Sequence, residues 1–202
     1  MVDVTLYVEG GGDSDALHRR CREGFRTFLE KAGFRGHMPR IVACGGRQSA
    51  FDMFRTACAS NATAILLIDS EDRVQGTSSW EHLARRPEDG FTAPANAAGD
   101  QCCLMVVCME SWFLADKDAL SGFFGQGFKR DALPQNENIE AVSREDVYSG
   151  LRNASAHCKT KAPYGKGEHS FRILKLIAPE KVREASPWAR RFFETLSKYM
   201  ER

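Results

Sequence analysis

Apolar residues follow two rhythms along this chain. Four short runs are almost uninterrupted: Val4-Thr5-Leu6-Tyr7-Val8, Pro39-Arg40-Ile41-Val42-Ala43-Cys44, Ala62-Thr63-Ala64-Ile65-Leu66-Leu67-Ile68 and Cys103-Leu104-Met105-Val106-Val107-Cys108. Their length and flanking turn residues predict buried strands. Between them the spacing turns helical. Leu17, Cys21, Phe25, Phe28, Leu29 and Ala32 share one face, with Asp13 or Ser14 as cap and Gly33 as stop. Ala50, Phe51, Phe54, Ala57 and Cys58 repeat the pattern after Gly45-Gly46-Arg47. Apart from Thr63 the third run is continuously apolar, as expected for a parallel strand covered on both faces. Strand, helix, strand, helix, strand predicts a parallel α/β layer with right-handed crossovers.

Beyond the third strand the pattern loosens. Residues 73–101 hold one helical candidate, Ser79 to Arg85, among Pro87, Gly90, Pro94 and Gly99. A connection of that length is often functional. After the fourth strand, Gly122 to Gln135 is rich in turn residues, and Ser143-Arg144-Glu145-Asp146 resembles a capping box opening a helix to about Ala156. Pro179 and Pro187 suit first helical turns, the second behind a Ser186 cap, and Trp188, Phe192, Leu196 and Tyr199 form a core-facing stripe. The expected organisation is one domain over 1–202, an α/β core (1–115) with a mostly helical extension (116–202) packed on it.

Composition narrows the class. With 202 residues, 43% hydrophobic, 27% charged and a net charge of +1, the chain has the make-up of an ordinary globular protein and no global basic bias. No apolar run is long enough for a membrane span, and the chain opens directly on a strand, so a cytoplasmic location is expected. Seven cysteines without CxxC spacing fit reduced core thiols.

Candidate chemistry gathers at the strand ends. Glu9 follows the first run, Asp69, Glu71 and Asp72 the third, and Glu110 the fourth, while Asp13 closes the turn Glu9-Gly10-Gly11-Gly12-Asp13. In a parallel sheet these ends share one edge, so carboxylates scattered in sequence converge in space. Each motif alone fits a turn, a helix cap or a polar loop start. Together, as oxygen ligands with no His or Cys pattern, they suit a hard divalent cation, Mg²⁺ or Mn²⁺, rather than zinc. One or two such ions would activate water and neutralise charge building on a phosphoryl group.

The Glu after strand one and the Asp-x-acid after strand three resemble the TOPRIM signature of topoisomerases, primases and OLD-family nucleases. Four motifs, Val8-Glu9-Gly10-Gly11-Gly12-Asp13, Leu67-Ile68-Asp69-Ser70-Glu71-Asp72, Met109-Glu110-Ser111-Trp112-Phe113-Leu114-Ala115-Asp116 and Gly167-Glu168-His169-Ser170-Phe171, are similar to the DUF4276 family over most of the chain. The resemblance implies a TOPRIM-like, Rossmannoid parallel sheet flanked by helices. It carries the general acid onto Glu9 and the paired acids onto Asp69 and Glu71. Asp13 matches a second acid of OLD-type nucleases and Glu110 a later one, with Cys108 where those enzymes have serine. A downstream lysine is also implied, for which Lys166 and Lys175 are candidates.

The glycine-broken stretch from His157 to Ser170 concentrates positive charge. It is either a solvated loop leading into a helix capped by Ser170, or a segment folding over the acids. In the second case Lys159, Lys161 and Lys166 meet phosphates, and Lys166 or His169 lies near the leaving oxygen. Arg47, on the same sheet edge, is a further phosphate contact. The expected function is a Mg²⁺-dependent phosphodiesterase, a DNA or RNA nuclease with a role in phage defence suggested by the resemblance. The alternative is a catalytically silent binding module working with a partner ATPase. Nucleic acid is the expected partner, no membrane is, and a homodimer is compatible with the sequence.

Overall fold

The computed structural model describes residues 3–201. Strands β1 (Thr5–Val8), β2 (Arg40–Ala43), β3 (Ala64–Asp69) and β4 (Cys102–Met105) form one parallel sheet in the order β2-β1-β3-β4. Every residue of β3 is buried, in keeping with its uninterrupted apolar run. Val8 pairs with Ala43 on one side and Leu67 on the other, and Asp69 pairs with Met105. Glu9 and Asp69 therefore leave the sheet at one edge.

Helices α1 (Asp15–Leu29) and α2 (Arg47–Ala59) make the first two crossovers. Ser14 caps α1, its hydroxyl accepting from the Leu17 N–H at 3.2 Å. Asp13 stays outside the helix. Past Leu29 the chain makes one π turn (Glu30–Phe34), in which Gly33 at φ +101° ends the helical path. Helix α3 (Ser79–Arg85) lies where the pattern predicts it. The rest of the 73–101 segment is pinned rather than loose: Phe91 stacks on Phe51 with centroids 4.2 Å apart, and Trp80 packs against both Phe51 and Phe54.

The fourth strand is shorter than its apolar run. Val106, Val107 and Cys108 are buried but leave the ladder, and a 3₁₀ segment (Met109–Ala115) follows. Helix α4 (Lys117–Phe124), capped by Asp116, had no counterpart among the sequence expectations. Helix α5 (Arg144–Ser155) starts behind its Ser143 cap. Helix α6 (Ser170–Leu174) departs from expectation, because Ser170 is its first residue and not its cap. Helices α7 (Pro179–Ala185) and α8 (Pro187–Met200) both begin on proline.

The C-terminal helices share the core of the sheet. Helix α8 packs on β4 and α6 on α1. Trp112 joins the layers, its ring 5.5 Å from Phe28 and 6.3 Å from Phe192 by centroid. All three rings are fully buried, each worth roughly 2–3 kcal/mol of transfer free energy. Among the described residues no helix is long and apolar enough to cross a membrane.

Candidate metal centre

The glycine turn after β1 exists to let two backbones touch. Gly10 and Gly45 exchange backbone hydrogen bonds at 2.9 Å, tying the ends of β1 and β2 together. At Gly45, φ is +71° and a Cβ would lie 2.7 Å from the Gly12 carbonyl oxygen, so only glycine fits there. His18, from the first turn of α1, closes the turn from above with its Nε2 2.7 Å from the same oxygen.

This packing delivers Glu9 beside β3. The Asp69 N–H donates to Glu9 Oε2 at 3.1 Å, and the Met109 N–H donates to Asp69 Oδ1 at 2.8 Å. The edge of β3 then continues past β4: the Ser70 and Glu71 N–H groups donate to the Met105 and Val107 carbonyls at 2.9 and 2.8 Å. Glu71 adopts φ +67°, a left-handed conformation uncommon outside glycine, which turns its side chain back toward the sheet edge. Glu9, Asp69 and Glu71 each offer an oxygen, and these atoms lie within 4.8 Å of one another.

The electrostatics of this group are unfavourable by themselves. Asp69 is 5% exposed, and among the described residues no hydrogen bond reaches its second carboxylate oxygen. Burial, with the nearby charges of Glu9 and Glu110, pushes its pKa up to about 8, against weaker opposing effects from Lys166 and the Met109 N–H. Two arginines offset part of the charge. Arg47 donates to Glu9 Oε2 at 3.2 Å and to the Asp69 carbonyl, and Arg144 forms an ion pair with Glu71.

Arg47 is held from behind. Its Nε and Nη2 reach both oxygens of Asp89 at 2.6 and 2.7 Å, and Arg86 adds a bond to Asp89 at 2.8 Å. Asp89 is buried, which raises its pKa, but the two guanidinium groups outweigh burial and hold it below the ordinary range. The expectation that Arg47 is a free phosphate contact therefore does not hold: its donors are already engaged and its side chain is 15% exposed.

The remaining acids separate from the cluster. Asp13 is exposed on the turn, and Asp72 pairs with Arg86. Glu110 has no exposure and accepts three hydroxyls, from Tyr148 at 3.0 Å, Tyr164 at 2.9 Å and Ser170 at 3.0 Å. With both oxygens engaged it organises the back wall of the site. Burial and the Glu110 charge raise the pKa of both tyrosines, keeping them protonated donors.

Of the basic stretch, Lys166 alone is tied to the acids. It is exposed, close enough to Asp69 to lower that carboxyl's pKa, and its Nζ lies 5.5 Å from the Tyr148 ring centroid. Lys161 lies over Phe123 at 4.8 Å, and Lys159 is exposed with its backbone bonded to Gln126. Lys175 pairs with Glu23 on α1. His169 is 2% exposed, packed against Phe123, Phe124 and Tyr164, and its Nδ1 accepts the Gly165 N–H at 3.1 Å. Burial lowers its pKa, and through its bond to Gly165 and its ring contacts it supports the loop.

Sequence reasoning missed Arg144, Tyr148, Tyr164, Asp89 and His18. Only Arg144 left a trace, as a cation where a helix start favours acids.

A family model described as "Domain of unknown function (DUF4276)" matches residues 8–197. The chain belongs to the DUF4276 family. No curated protein and no solved structure matches it. The matched span of the DUF4276 chain begins one residue before Glu9 and takes in all three converging carboxylates, Glu110 with its hydroxyl donors, and Arg144.

Proposed function

We propose that this DUF4276 chain is a TOPRIM-type, Mg²⁺- or Mn²⁺-dependent phosphodiesterase acting on nucleic acid. The observation that carries the reading is the convergence of Glu9, Asp69 and Glu71, with oxygens within 4.8 Å, at the carboxyl edge of a parallel sheet. The donor set fits the ion. All three ligands are carboxylates with no thiolate or imidazole among them, and Asp69 keeps one carboxylate oxygen that no hydrogen bond reaches among the described residues.

A divalent cation held by these three groups supplies Lewis acidity toward a phosphoryl oxygen and neutralises the charge that builds there. The protein's own residues do the rest. The Met109 N–H and the Glu9–Asp69 contact orient the ligands, and Arg47 holds the Glu9 carboxylate in place. Lys166, exposed and beside Tyr148, would bind a phosphate and stabilise negative charge on a departing oxygen. Lys159 and Lys161 extend the positive charge along the same stretch, as contacts for the strand beyond the reacting group. A role in phage defence follows by analogy with nuclease-like families found among phage-defence genes.

One observation favours a second reading, a catalytically silent binding module: both Glu9 and Glu71 are occupied by arginines. Incubation of the full chain with plasmid, single-stranded DNA and RNA in Mn²⁺ decides between them. Cleavage that EDTA and Glu9→Gln both abolish supports the enzyme. Inactivity on all three, despite calorimetrically measured Mn²⁺ binding, supports the module.

A further inference from the structure

Arg144 stands where local physics disfavours it. It is the first residue of α5, directly after the Ser143 cap, whose hydroxyl accepts the Asp146 N–H at 3.1 Å. The free N–H groups and the positive end of the helix dipole there favour acids, as the neighbouring Glu145 and Asp146 illustrate. A guanidinium at that position needs a partner outside the helix. Its partner is Glu71, and its Cζ also lies 5.8 Å from the Tyr148 ring centroid.

The two members of this pair are held very differently. Glu71 is fixed by its left-handed backbone and by the bond from its N–H to the Val107 carbonyl at 2.8 Å, and its side chain is 16% exposed. Arg144 is 39% exposed, on a long side chain rooted at a helix end. Arg47 makes the contrast sharper. It is gripped by both oxygens of Asp89 and cannot withdraw without releasing the 86–91 segment. One arginine at this site is a fixture, and the other has room to move.

We propose that Arg144 is a displaceable counter-cation. It neutralises Glu71 until a divalent cation binds at Glu9, Asp69 and Glu71, then yields the carboxylate and turns to a phosphate of the incoming nucleic acid. This rests on the metal-centre reading above. A guanidinium and a divalent cation sharing one carboxylate repel each other strongly at such range, so the mobile partner leaves. Once free, a guanidinium is the side chain best matched to the paired oxygens of a phosphate. Tyr148 keeps it at the site, since its ring offers a face to Arg144 and to Lys166 while its hydroxyl is anchored on Glu110. Cation binding and substrate binding are thereby coupled through one side chain. The protein exposes its phosphate-binding arginine only when the ion is in place.

The experiment is Mn²⁺ calorimetry on the full chain as wild type, Arg144→Gln, Arg144→Lys and Glu9→Gln, with melting curves as a check on folding. A second measurement is fluorescence anisotropy of a single-stranded phosphorothioate oligonucleotide, with and without Mn²⁺. Removing a competing cation from a half-buried pair should tighten Mn²⁺ binding about fivefold in Arg144→Gln, with Arg144→Lys in between. Oligonucleotide affinity should rise on adding Mn²⁺ to wild type, and Arg144→Gln should lose most of that gain while Arg144→Lys keeps part of it. Unchanged or weaker Mn²⁺ binding in a folded Arg144→Gln, with Glu9→Gln unable to bind, overturns the counter-cation role and leaves the metal centre standing. An unchanged Mn²⁺-dependent gain in oligonucleotide affinity overturns the phosphate role. Absence of Mn²⁺ binding in wild type and Arg144→Gln alike overturns the metal centre and this proposal together.

Discussion

The Asp69 N–H donates to Glu9 Oε2 at 3.1 Å across a sequence separation of 60 residues. This bond aligns the ends of β1 and β3 and sets one carboxylate directly over the next. Repulsion between those charges is built into the fold, and Arg47 and Arg144 offset part of it. The consequences are measurable in stability as well as in ion binding.

The first consequence is a pH dependence with a definite sign. The pKa of Asp69 is raised to about 8 in the folded chain, whereas in the unfolded chain it returns to the ordinary aspartate value. The folded state therefore holds the proton more tightly. The stability this contributes is fully present below the unfolded pKa and is lost as pH climbs through the folded one. In EDTA, the melting temperature of wild type should fall between about pH 5 and pH 8, and Asp69→Asn should flatten that slope. Adding Mn²⁺ at the alkaline end should restore wild type and leave Asp69→Asn unmoved, since a ligand that binds only the folded state stabilises it. A melting temperature that rises over the same window in EDTA would falsify the assignment.

A second prediction concerns the ionic grip on the long connection. Arg47 and Asp89 are both largely buried and doubly bonded to each other, so removing either leaves the other with only its weaker partners, Arg86 for Asp89 and Glu9 for Arg47. Arg47→Ala and Asp89→Ala should each lower unfolding free energy by roughly 2–4 kcal/mol in urea titrations. The double variant should cost clearly less than the sum of the two. Additive losses would show that the pair is not coupled and that the 86–91 segment is held by Phe91 and the Arg86–Asp72 pair instead.

Glu110 separates a structural acid from a ligand. Three hydroxyls converge on it in a fully buried setting, so Glu110→Ala removes their shared acceptor, leaving the Tyr148 hydroxyl without one and Tyr164 and Ser170 with only each other at 2.8 Å. It should cost about 3 kcal/mol or more, and Tyr164→Phe about 1–2 kcal/mol. Glu110→Gln, which keeps an acceptor, should fold and bind Mn²⁺ within about twofold of wild type, in contrast to Glu9→Gln. A loss of Mn²⁺ binding in a well-folded Glu110→Gln would return Glu110 to the ligand set.

How much of this was legible beforehand follows from what kind of information each residue carries. Glu9, Asp69 and Glu71 were readable because they end apolar runs. A parallel register brings strand ends together whatever the rest of the chain does. Asp13, Asp72 and Glu110 read as supporting a second ion or the outer shell, because residue type and position do not show where a carboxylate points. Arg86 takes one of them and the tyrosine hydroxyls take another, both from elements whose approach depends on tertiary packing. His169 was misjudged for a related reason. Its glycine-rich neighbourhood suggested an open loop, whereas Phe123 and Phe124, on the unexpected helix α4, bury it. Among helix starts, Ser143, Ser186 and the proline after Ser186 cap or open helices as read, whereas Ser170 is the first residue of α6 and not its cap.

The glycine turn provides the last prediction, and it tests the route from sequence to site most directly. Gly45 meets the Gly12 carbonyl so closely that a Cβ would sit 2.7 Å from that oxygen, at a φ of +71° that alanine resists. Gly45→Ala must therefore push the β2 end away from the Glu9-Gly10-Gly11-Gly12 turn, costing roughly 2–3 kcal/mol through backbone strain and steric contact. Gly46, one residue later, has open space around its Cβ position and no left-handed φ, so Gly46→Ala should be close to neutral and serves as the control. The effect on the metal centre should follow geometry rather than stability alone. Glu9 sits immediately before Gly10, whose two bonds to Gly45 would be strained or broken. Mn²⁺ affinity should fall in Gly45→Ala even at temperatures where the variant is fully folded, and it should be retained in Gly46→Ala. Equal affinities in the two folded variants would show that Glu9 is positioned by β3 alone, through the Asp69 N–H, and that the turn contributes only to folding.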